Sequence, residues 1–383
     1  MAATLFRMDF EDLRRSIPGL DAMTYLNTGW AGPSPERVLA RMRETALEES
    51  RVGPASPEGL ALTKRAAEEA TAAAAGLLHA APEDVVFTHG TTEGVNIVLH
   101  GLAWEPGDEL LTCDLEHPAL QAPLKLLEQR RGVTVRVVAL PPNAPPAGAL
   151  EAIGGAITRR TKLVALSHIM FTCGLRLPAA EVAKAAHDAG AMLLLDGAQT
   201  SGHVLLDMAE IDADFYAISG QKWLLGPTGT GALYVRRDRH ELLAPLLKAP
   251  EVEHLTGLAA LTLASGSAVL HAGFTEAVRV HTELGPDRVE ARALRLASRL
   301  RQGLSAIGRV EMTGPDDPVS SCGLTAIAVA GWTPEALAGA LWERYRVAAR
   351  TVGYPAGVRF STAAFNDEGD VDRAVEVVTE LAG

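Results

Sequence analysis

The 383-residue sequence has little cysteine, few aromatic residues and no excess of positive charge. Its three cysteines are too few for a disulfide framework, so free thiols in a reducing compartment are expected. Lys and Arg number 35 against 47 Asp and Glu, which gives a formal net charge of −12. Proteins that bind nucleic acid or anionic lipid need a basic face, so this charge argues against both classes.

Targeting segments and uninterrupted membrane-length runs are also lacking. Residues 1–15 mix acidic and basic side chains without an apolar centre, so no signal peptide is predicted. The stretch from Leu255 to Thr275 has no Asp, Glu, Lys or Arg, but glycines and hydroxyl residues interrupt it. A buried connection between domains is therefore a better interpretation than a membrane span. We expect a cytoplasmic protein with no nucleic-acid or membrane partner.

The sequence does contain an alternation of short apolar runs and helical patterns, which predicts an α/β fold. Several predicted strands are continuously apolar, which is typical of a mainly parallel sheet covered by helices on both faces. Toward the C-terminus, long helical patterns at 268–283 and 287–306 precede further strands and a final helix. We therefore predict a large domain over residues 20–260 and a smaller α+β domain formed by residues 1–19 and 261–383.

The sequence also predicts one surface loop and one further strand. The proline-rich stretch 141–149 is typical of a surface loop. Residues Val347 to Arg350 are predicted to form a single strand.

Asp196 and Lys222 carry the strongest chemical signal. Asp196 follows the apolar run 193–195, and ligands of open parallel sheets bind outside the carboxyl ends of the strands. Lys222 follows another apolar stretch and a Ser-Gly turn, and desolvation in such surroundings makes a lysine nucleophilic. Pyridoxal phosphate needs a lysine to hold its aldehyde and a carboxylate to keep its pyridine nitrogen protonated. A helix cap at Asp196 and a solvated surface position for Lys222 are the alternatives.

Two further segments indicate an anion site and a stacking side chain. Thr91 and Thr92 follow a predicted strand and open a helix, where free backbone amides favour a phosphate. His117 follows another predicted strand, and an imidazole there can lie flat on a cofactor ring. An N-cap role for either threonine and a satisfied loop position for His117 remain the alternatives.

Seven segments extend in order over nearly the whole chain: YLNTGWAGPSP (25–35), FTHGTTEGVNIV (87–98), EHPA (116–119), TKLVALSH (161–168), LLLDGAQ (193–199), DFYAISGQKWLLGPTGTGALYV (214–235) and VRFSTAAFND (358–367). The set resembles the class V aminotransferase family of pyridoxal-phosphate enzymes, which includes cysteine desulfurases, kynureninases and isopenicillin N epimerases. The resemblance implies fold type I, with a mainly parallel seven-stranded sheet between helices and a smaller α+β C-terminal domain. It also implies a homodimer with shared active sites.

The resemblance implies a role for each matching residue. Lys222 would be the Schiff-base lysine and proton shuttle, Asp196 the partner of the pyridine nitrogen, and His117 the ring-stacking residue. Additional cofactor contacts would come from Thr91, Thr92, Gln199, Ser219, Gln221 and, toward the cofactor in the partner subunit, Ser267. The substrate contacts would be Asn27, Arg350 and Arg359, with Arg359 binding the substrate carboxylate through a bidentate fork. No metal site is expected.

One departure from the family pattern bears on the reaction. Desulfurases carry their persulfide-forming cysteine in the loop that corresponds to residues 350–358, and this loop has none. The sequence is more similar to cystine and cysteine C–S lyases, in segments 96–118 and 166–178 and in the spacing of Arg350 and Arg359. We therefore predict β-elimination from a small amino acid, cystine or cysteine. Transamination, isopenicillin N epimerase-like epimerisation and a non-enzymatic cofactor-binding scaffold or sensor are the alternatives.

Overall fold

The computed structural model of the protein describes residues 8–247, 255–262 and 266–383. The α-helices are α1 Phe10–Arg15, α2 Glu36–Val52, α3 Pro57–Leu77, α4 Thr91–Gly101, α5 Pro118–Arg131, α6 Pro146–Ala156, α7 Ala179–Asp188, α8 Met208–Ile211, α9 Ala268–Leu284, α10 Pro286–Ser305, α11 Pro334–Tyr345 and α12 Glu368–Ala382. The β-strands are β1 Thr24–Tyr25, β2 Val85–Thr88, β3 Glu109–Cys113, β4 Thr134–Val138, β5 Thr161–Ser167, β6 Met192–Asp196, β7 Phe215–Ser219, β8 Gly231–Val235, β9 Val310–Met312, β10 Leu324–Val329, β11 Val347–Ala348, β12 Arg350–Gly353 and β13 Ala356–Ser361.

The large sheet has the strand order β2-β8-β7-β6-β5-β3-β4, in which β8 runs opposite to the other six strands. Successive residues of β6 point to opposite faces of the sheet. Leu193 and Leu195 therefore join one hydrophobic core, while Leu194 joins the other. Burial on both faces explains why the strand is continuously apolar, and the predicted α/β fold with a mainly parallel sheet is confirmed.

The smaller C-terminal unit is built on an antiparallel sheet of order β12-β13-β10-β9. Its core includes Leu296 of α10, Phe360 of β13 and Val377 of α12, which are all buried. Strand β1 pairs in parallel with β11, with Thr24 opposite Val347, and so connects the N-terminal segment to this unit.

Helix α9 packs against α2 and α3. Its residues Phe274 and Ala277 belong to the same hydrophobic core as Leu193 of the large sheet. The domain boundary after residue 260 stays a prediction, and residues 1–7 of the predicted small domain lie outside the described residues.

Two local predictions were wrong. Helix α6 begins at Pro146, inside the segment 141–149 that was expected to be a loop. Proline is tolerated at the first position of a helix because a backbone N–H there would have no intrahelical acceptor. The expected single strand from Val347 to Arg350 is divided between β11 and β12, which belong to different sheets.

None of the helices in the described ranges combines the length and apolar character needed to cross a bilayer. Within the charge-free stretch from Leu255 to Thr275, residues 257–261 form a short 3₁₀ helix and α9 begins at Ala268. Residues 263–265 of that stretch lie outside the described residues.

Candidate active site

A cavity of about 400 Å³ opens at the carboxyl ends of the parallel strands, where open α/β sheets bind ligands. Asp196 ends β6, Lys222 follows β7, and the β12–β13 hairpin contributes Arg350 and Arg359, which lie opposite each other in register. The complete lining is Gly29, Trp30, Thr91, Thr92, His117, Ala119, Ser167, Ile169, Phe171, Asp196, Ala198, Gln199, Gln221, Lys222, Arg350 and Arg359.

Lys222 is partly buried in the wall of this cavity, so the alternative of a solvated surface lysine is wrong. Burial lowers the pKa of its ammonium to about 8, because desolvation disfavours the charged form. The negative charge of Asp196 opposes this shift, and the positive charge of Arg359 adds to it. An appreciable fraction of the Lys222 amine is therefore neutral near physiological pH and able to act as a nucleophile or base.

Asp196 is buried in the same cavity. Its Oδ1 accepts a hydrogen bond from the Ala198 backbone N–H at 2.8 Å, within a turn and not at a helix start, so the helix-cap alternative is also wrong. Burial raises the pKa of the carboxyl group, while the charge of Lys222 works against that rise. Asp196 forms no ion pair within 4 Å with any described residue, which leaves its carboxylate available to a cationic ligand group.

The amino end of α4 forms another wall of the cavity. The N-cap residue of this helix is Gly90, whose φ of 147° is a conformation that glycine adopts readily. Neither threonine hydroxyl serves as the N-cap. The first backbone N–H groups of a helix have no intrahelical acceptor. Thr91 and Thr92 therefore combine free amides and hydroxyls beside the cavity, a donor set that suits a phosphate.

His117 caps a helix and also lines the cavity, and its stacking on a cofactor ring stays a prediction. Its Nδ1 accepts the Ala119 backbone N–H at 3.0 Å and so caps α5, while the ring lines the cavity. Phe171 meets the imidazole edge-on, with ring centroids 4.6 Å apart. Burial, assisted by the nearby charge of Lys222, lowers the pKa of His117 to about 4. The ring is therefore neutral, with its proton on Nε2.

The two arginines face the cavity differently. Arg359 is 1% exposed, and its Nη1 donates to the carbonyl of Phe171. The Nε of Arg359 is buried without a hydrogen-bond partner among the described residues. Arg350 stacks on the ring of Trp30, with Cζ 3.0 Å from the ring centroid. Together with Lys222, these guanidinium groups outnumber the single lining carboxylate, so the cavity attracts anions.

Ser167 and Glu116 were not predicted as site residues from the sequence. Ser167 ends β5 beside Asp196 in the parallel register, and that strand-end position was the available signal. Glu116 is buried behind it and accepts hydrogen bonds from the Ser167 N–H at 2.8 Å and hydroxyl at 2.5 Å. Burial raises the pKa of Glu116 to about 7.

Three predicted site residues lie outside the lining of this cavity. Ser219 is buried behind it, with its hydroxyl 3.4 Å from the Ala198 carbonyl oxygen. The backbone of Asn27 forms an isolated parallel β-bridge with that of Ser361. Ser267 caps α9 and borders a second cavity, of about 490 Å³. Their roles, like those of the predicted residues that line the cavity, stay predictions.

The residues that line the cavity fit pyridoxal phosphate. They supply an amine, a buried carboxylate, a neutral imidazole face and a helix start, which match the aldehyde, pyridine nitrogen, ring and phosphate. Gln221 Oε1 and Arg359 Nε are buried without hydrogen-bond partners among the described residues, and such atoms normally have one. Across the same residues, no group of three or more His, Cys, Asp or Glu is placed to hold a metal ion.

Known proteins resemble this chain over nearly its whole length. The family model for Aminotransferase class-V matches residues 24–374. A probable cysteine desulfurase of Methanothermobacter thermautotrophicus is 30% identical, over 96% of this chain and 93% of its own. An isopenicillin N epimerase of Streptomyces clavuligerus is 31% identical, over 98% of this chain and 99% of its own.

Solved structures agree with these sequence relatives. The cystine C-S lyase C-DES, in complex with its reaction product cysteine persulfide, has a TM-score of 0.89 at 26% identity, covering 95% of this chain and 99% of its own. The apo cysteine desulfurase of Thermococcus onnurineus has a TM-score of 0.88 at 25% identity, covering 97% of this chain and 98% of its own. A C-DES variant with glycine covalently linked to the PLP cofactor has a TM-score of 0.89 at 25% identity, covering 96% and 99%. The chain belongs to the class V aminotransferase family and is a pyridoxal-phosphate-dependent enzyme.

Proposed function

We propose that this enzyme cleaves a C–S bond of cystine or cysteine by β-elimination, without a protein cysteine as catalyst. The observation that carries the proposal is the absence of a thiol from the residues that line the cavity in the described structure. The structural similarity to a cystine C-S lyase supports it.

The three cysteines are unsuited to accept sulfur. Cys113, Cys173 and Cys322 are each 1% exposed or less. Burial raises the pKa of Cys173 and of Cys322 to about 11, and that of Cys113 well above its ordinary value. A thiol must ionise to act as a nucleophile, so these buried groups are unreactive near neutral pH.

Lys222 is proposed as the residue that binds the cofactor and moves the substrate's α-proton. When bound, pyridoxal phosphate supplies an electron-withdrawing ring that stabilises negative charge on the α-carbon of an amino acid. Asp196 would keep a proton on the pyridine nitrogen, and the helix start at Thr91 and Thr92 would hold the phosphate. Lys222 in its neutral form would remove the α-proton, which its lowered pKa of about 8 favours.

Arg359 is proposed to bind the substrate carboxylate, assisted by Arg350. A buried guanidinium with a free Nε can offer two parallel hydrogen bonds to a carboxylate. That grip would turn the Cα–H bond toward the base, and positioning of this kind decides which bond breaks. The β C–S bond then breaks with its electron pair on sulfur, and the released aminoacrylate reacts with water to give pyruvate and ammonia.

Product analysis tests the reaction class. With cystine or cysteine as substrate, we expect pyruvate and ammonia in equal amounts, with the sulfur leaving as persulfide or sulfide. Alanine with a keto-acid acceptor, offered separately, should give little amino transfer. Amino transfer without pyruvate from cystine would contradict the proposal in favour of an aminotransferase. A change of optical rotation without net chemistry would indicate an epimerase.

A cysteine-free variant is the matched control for this assay. With Cys113, Cys173 and Cys322 all replaced by alanine, elimination should continue at the same kcat/KM, because alanine keeps these buried positions small and apolar. Loss of pyruvate formation in a variant that remains folded would show that a protein thiol takes part. Thermal denaturation of the same sample establishes that it is folded.

We further propose that the enzyme is a homodimer with shared active sites. Ser267 borders the second cavity and not the one that holds Lys222, so within one chain it does not reach the proposed cofactor site. In a dimer, the same hydroxyl would reach the cofactor of the partner subunit. Sedimentation equilibrium should give twice the chain mass of 40.4 kDa, whereas an active monomer would contradict shared sites.

A further inference from the structure

The side-chain amide of Gln199 has only one orientation that its neighbours allow. Trp223 Nε1 donates to Gln199 Oε1 at 2.8 Å, and Gln199 Nε2 donates to the carbonyl of Gly29 at 2.8 Å. An indole N–H is only a donor and a backbone carbonyl only an acceptor, so exchanging the amide oxygen and nitrogen would break both hydrogen bonds. Gln199 therefore keeps its oxygen against Trp223.

This orientation determines what Gln199 offers to the cavity. A carboxamide nitrogen carries two hydrogens, and only one is used by Gly29. The other finds no acceptor among the described residues, and Gln199 lines the cavity. The side chain therefore presents a donor to a ligand and keeps its acceptor away from it.

Trp223 is itself fixed by His203. The imidazole of His203 stacks on the Trp223 rings, with centroids 3.7 Å apart and planes 10° from parallel. His203 Nε2 accepts the Gly323 backbone N–H at 2.8 Å, so the imidazole hydrogen lies on Nδ1. Nδ1 donates it to the backbone carbonyl of Gln199 at 2.8 Å. All three side chains are buried, with exposed fractions of 4% or less.

The arrangement also spans the two structural units. Gly323 precedes β10, and β10 pairs with the strand that carries Arg359. A Cβ at Gly323 would lie 2.7 Å from His203 Nε2 and 3.1 Å from the Trp223 ring, so only glycine allows this approach. The smaller sheet therefore packs directly on the group that holds Gln199.

We propose that Trp223 is a positioning residue that fixes the Gln199 carboxamide with its free N–H toward the cavity, and that His203 and Gly323 hold Trp223 in place. The inference rests on the proposed cofactor site: the N–H would meet an anionic oxygen on the pyridoxal phosphate ring. Trp223 does not line the cavity and acts only through Gln199.

The test uses Trp223→Phe, which removes the indole N–H and keeps an aromatic ring for His203. We expect the dissociation constant for pyridoxal phosphate, measured by equilibrium dialysis of the full chain, to rise about tenfold, the effect of one hydrogen bond at this kind of site. We also expect the pH titration of the bound cofactor's absorption to shift. Trp104→Phe is the matched control. The Trp104 indole N–H donates to the Leu99 carbonyl at 2.6 Å, and Trp104 does not line the cavity. This variant should leave both readouts unchanged.

A double-mutant cycle separates positioning from a purely structural role. If Trp223 acts through Gln199, Trp223→Phe should have almost no further effect in a Gln199→Ala background. An equal loss in both backgrounds, or wild-type affinity and titration in Trp223→Phe, would overturn the proposal. Both readouts are taken without substrate, so they do not depend on the proposed elimination.

Gln199→Glu provides a second route should Trp223→Phe fail to fold. A carboxylate can still accept from the Trp223 indole but offers no donor to the cavity. We expect this variant to lose cofactor affinity and to show a shifted titration. Wild-type affinity in Gln199→Glu would contradict the proposed donor.

Discussion

Replacing Lys222 with alanine is expected to reduce pyruvate formation about 1,000-fold or more, because one residue supplies both the covalent attachment and the base. The cofactor would be held only by noncovalent contacts, so the visible absorption that arises from its bond to Lys222 should be lost. The measurements are the absorption spectrum and single-turnover pyruvate formation.

Lys125→Ala is the matched control for this variant. Lys125 lies exposed on α5, outside the cavity lining, so its loss should leave spectrum and turnover unchanged. A Lys222→Ala variant that kept the visible absorption and turned over at the wild-type rate would exclude Lys222 from both roles.

Replacing Arg359 with lysine is expected to lower kcat/KM about 100-fold, the scale of losing a charged, bidentate hydrogen-bond pair. Lysine keeps the positive charge, but its ammonium cannot present two parallel N–H groups. The larger part of the loss should appear as a higher KM, because the carboxylate is bound before and during the reaction. Steady-state kinetics with cystine measure it, and cofactor affinity should be unchanged.

Arg299→Lys is the control for Arg359→Lys. Arg299 lies on α10, where it pairs with Asp372 through contacts of 2.7 and 2.8 Å at the surface. A surface ion pair contributes little, so kinetics and stability should be close to wild type. If Arg359→Lys retained the wild-type KM for cystine, the carboxylate would have to bind elsewhere.

Much of the large domain could be predicted because its strands are buried on both faces. The continuous apolar run of β6 marks a central parallel strand, and the same run places Asp196 at the ligand-binding edge. Lys222 could be selected because it lies among apolar and glycine-rich neighbours. Both signals lie in consecutive residues, and the apolar character of those residues directly favours their burial.

The remainder of the site depends on tertiary contacts that leave no local pattern. The hydrogen bond between Gly323 and His203 joins residues 120 positions apart. The Glu116 carboxyl group meets Ser167 across 51 positions, and neither residue type specifies that partner. Arg350 and Arg359 become neighbours only through the register of β12 and β13, so their spacing alone could not place both in the cavity.

We expect the cofactor to be attached to Lys222, in the cavity that also holds Asp196. Borohydride reduction of the intact enzyme, followed by protease digestion and mass spectrometry, locates that attachment directly. A phosphopyridoxyl group is expected on the peptide that contains Lys222, and on no other peptide in a stoichiometric amount. Stoichiometric modification of a different lysine, with Lys222 unmodified, would contradict it.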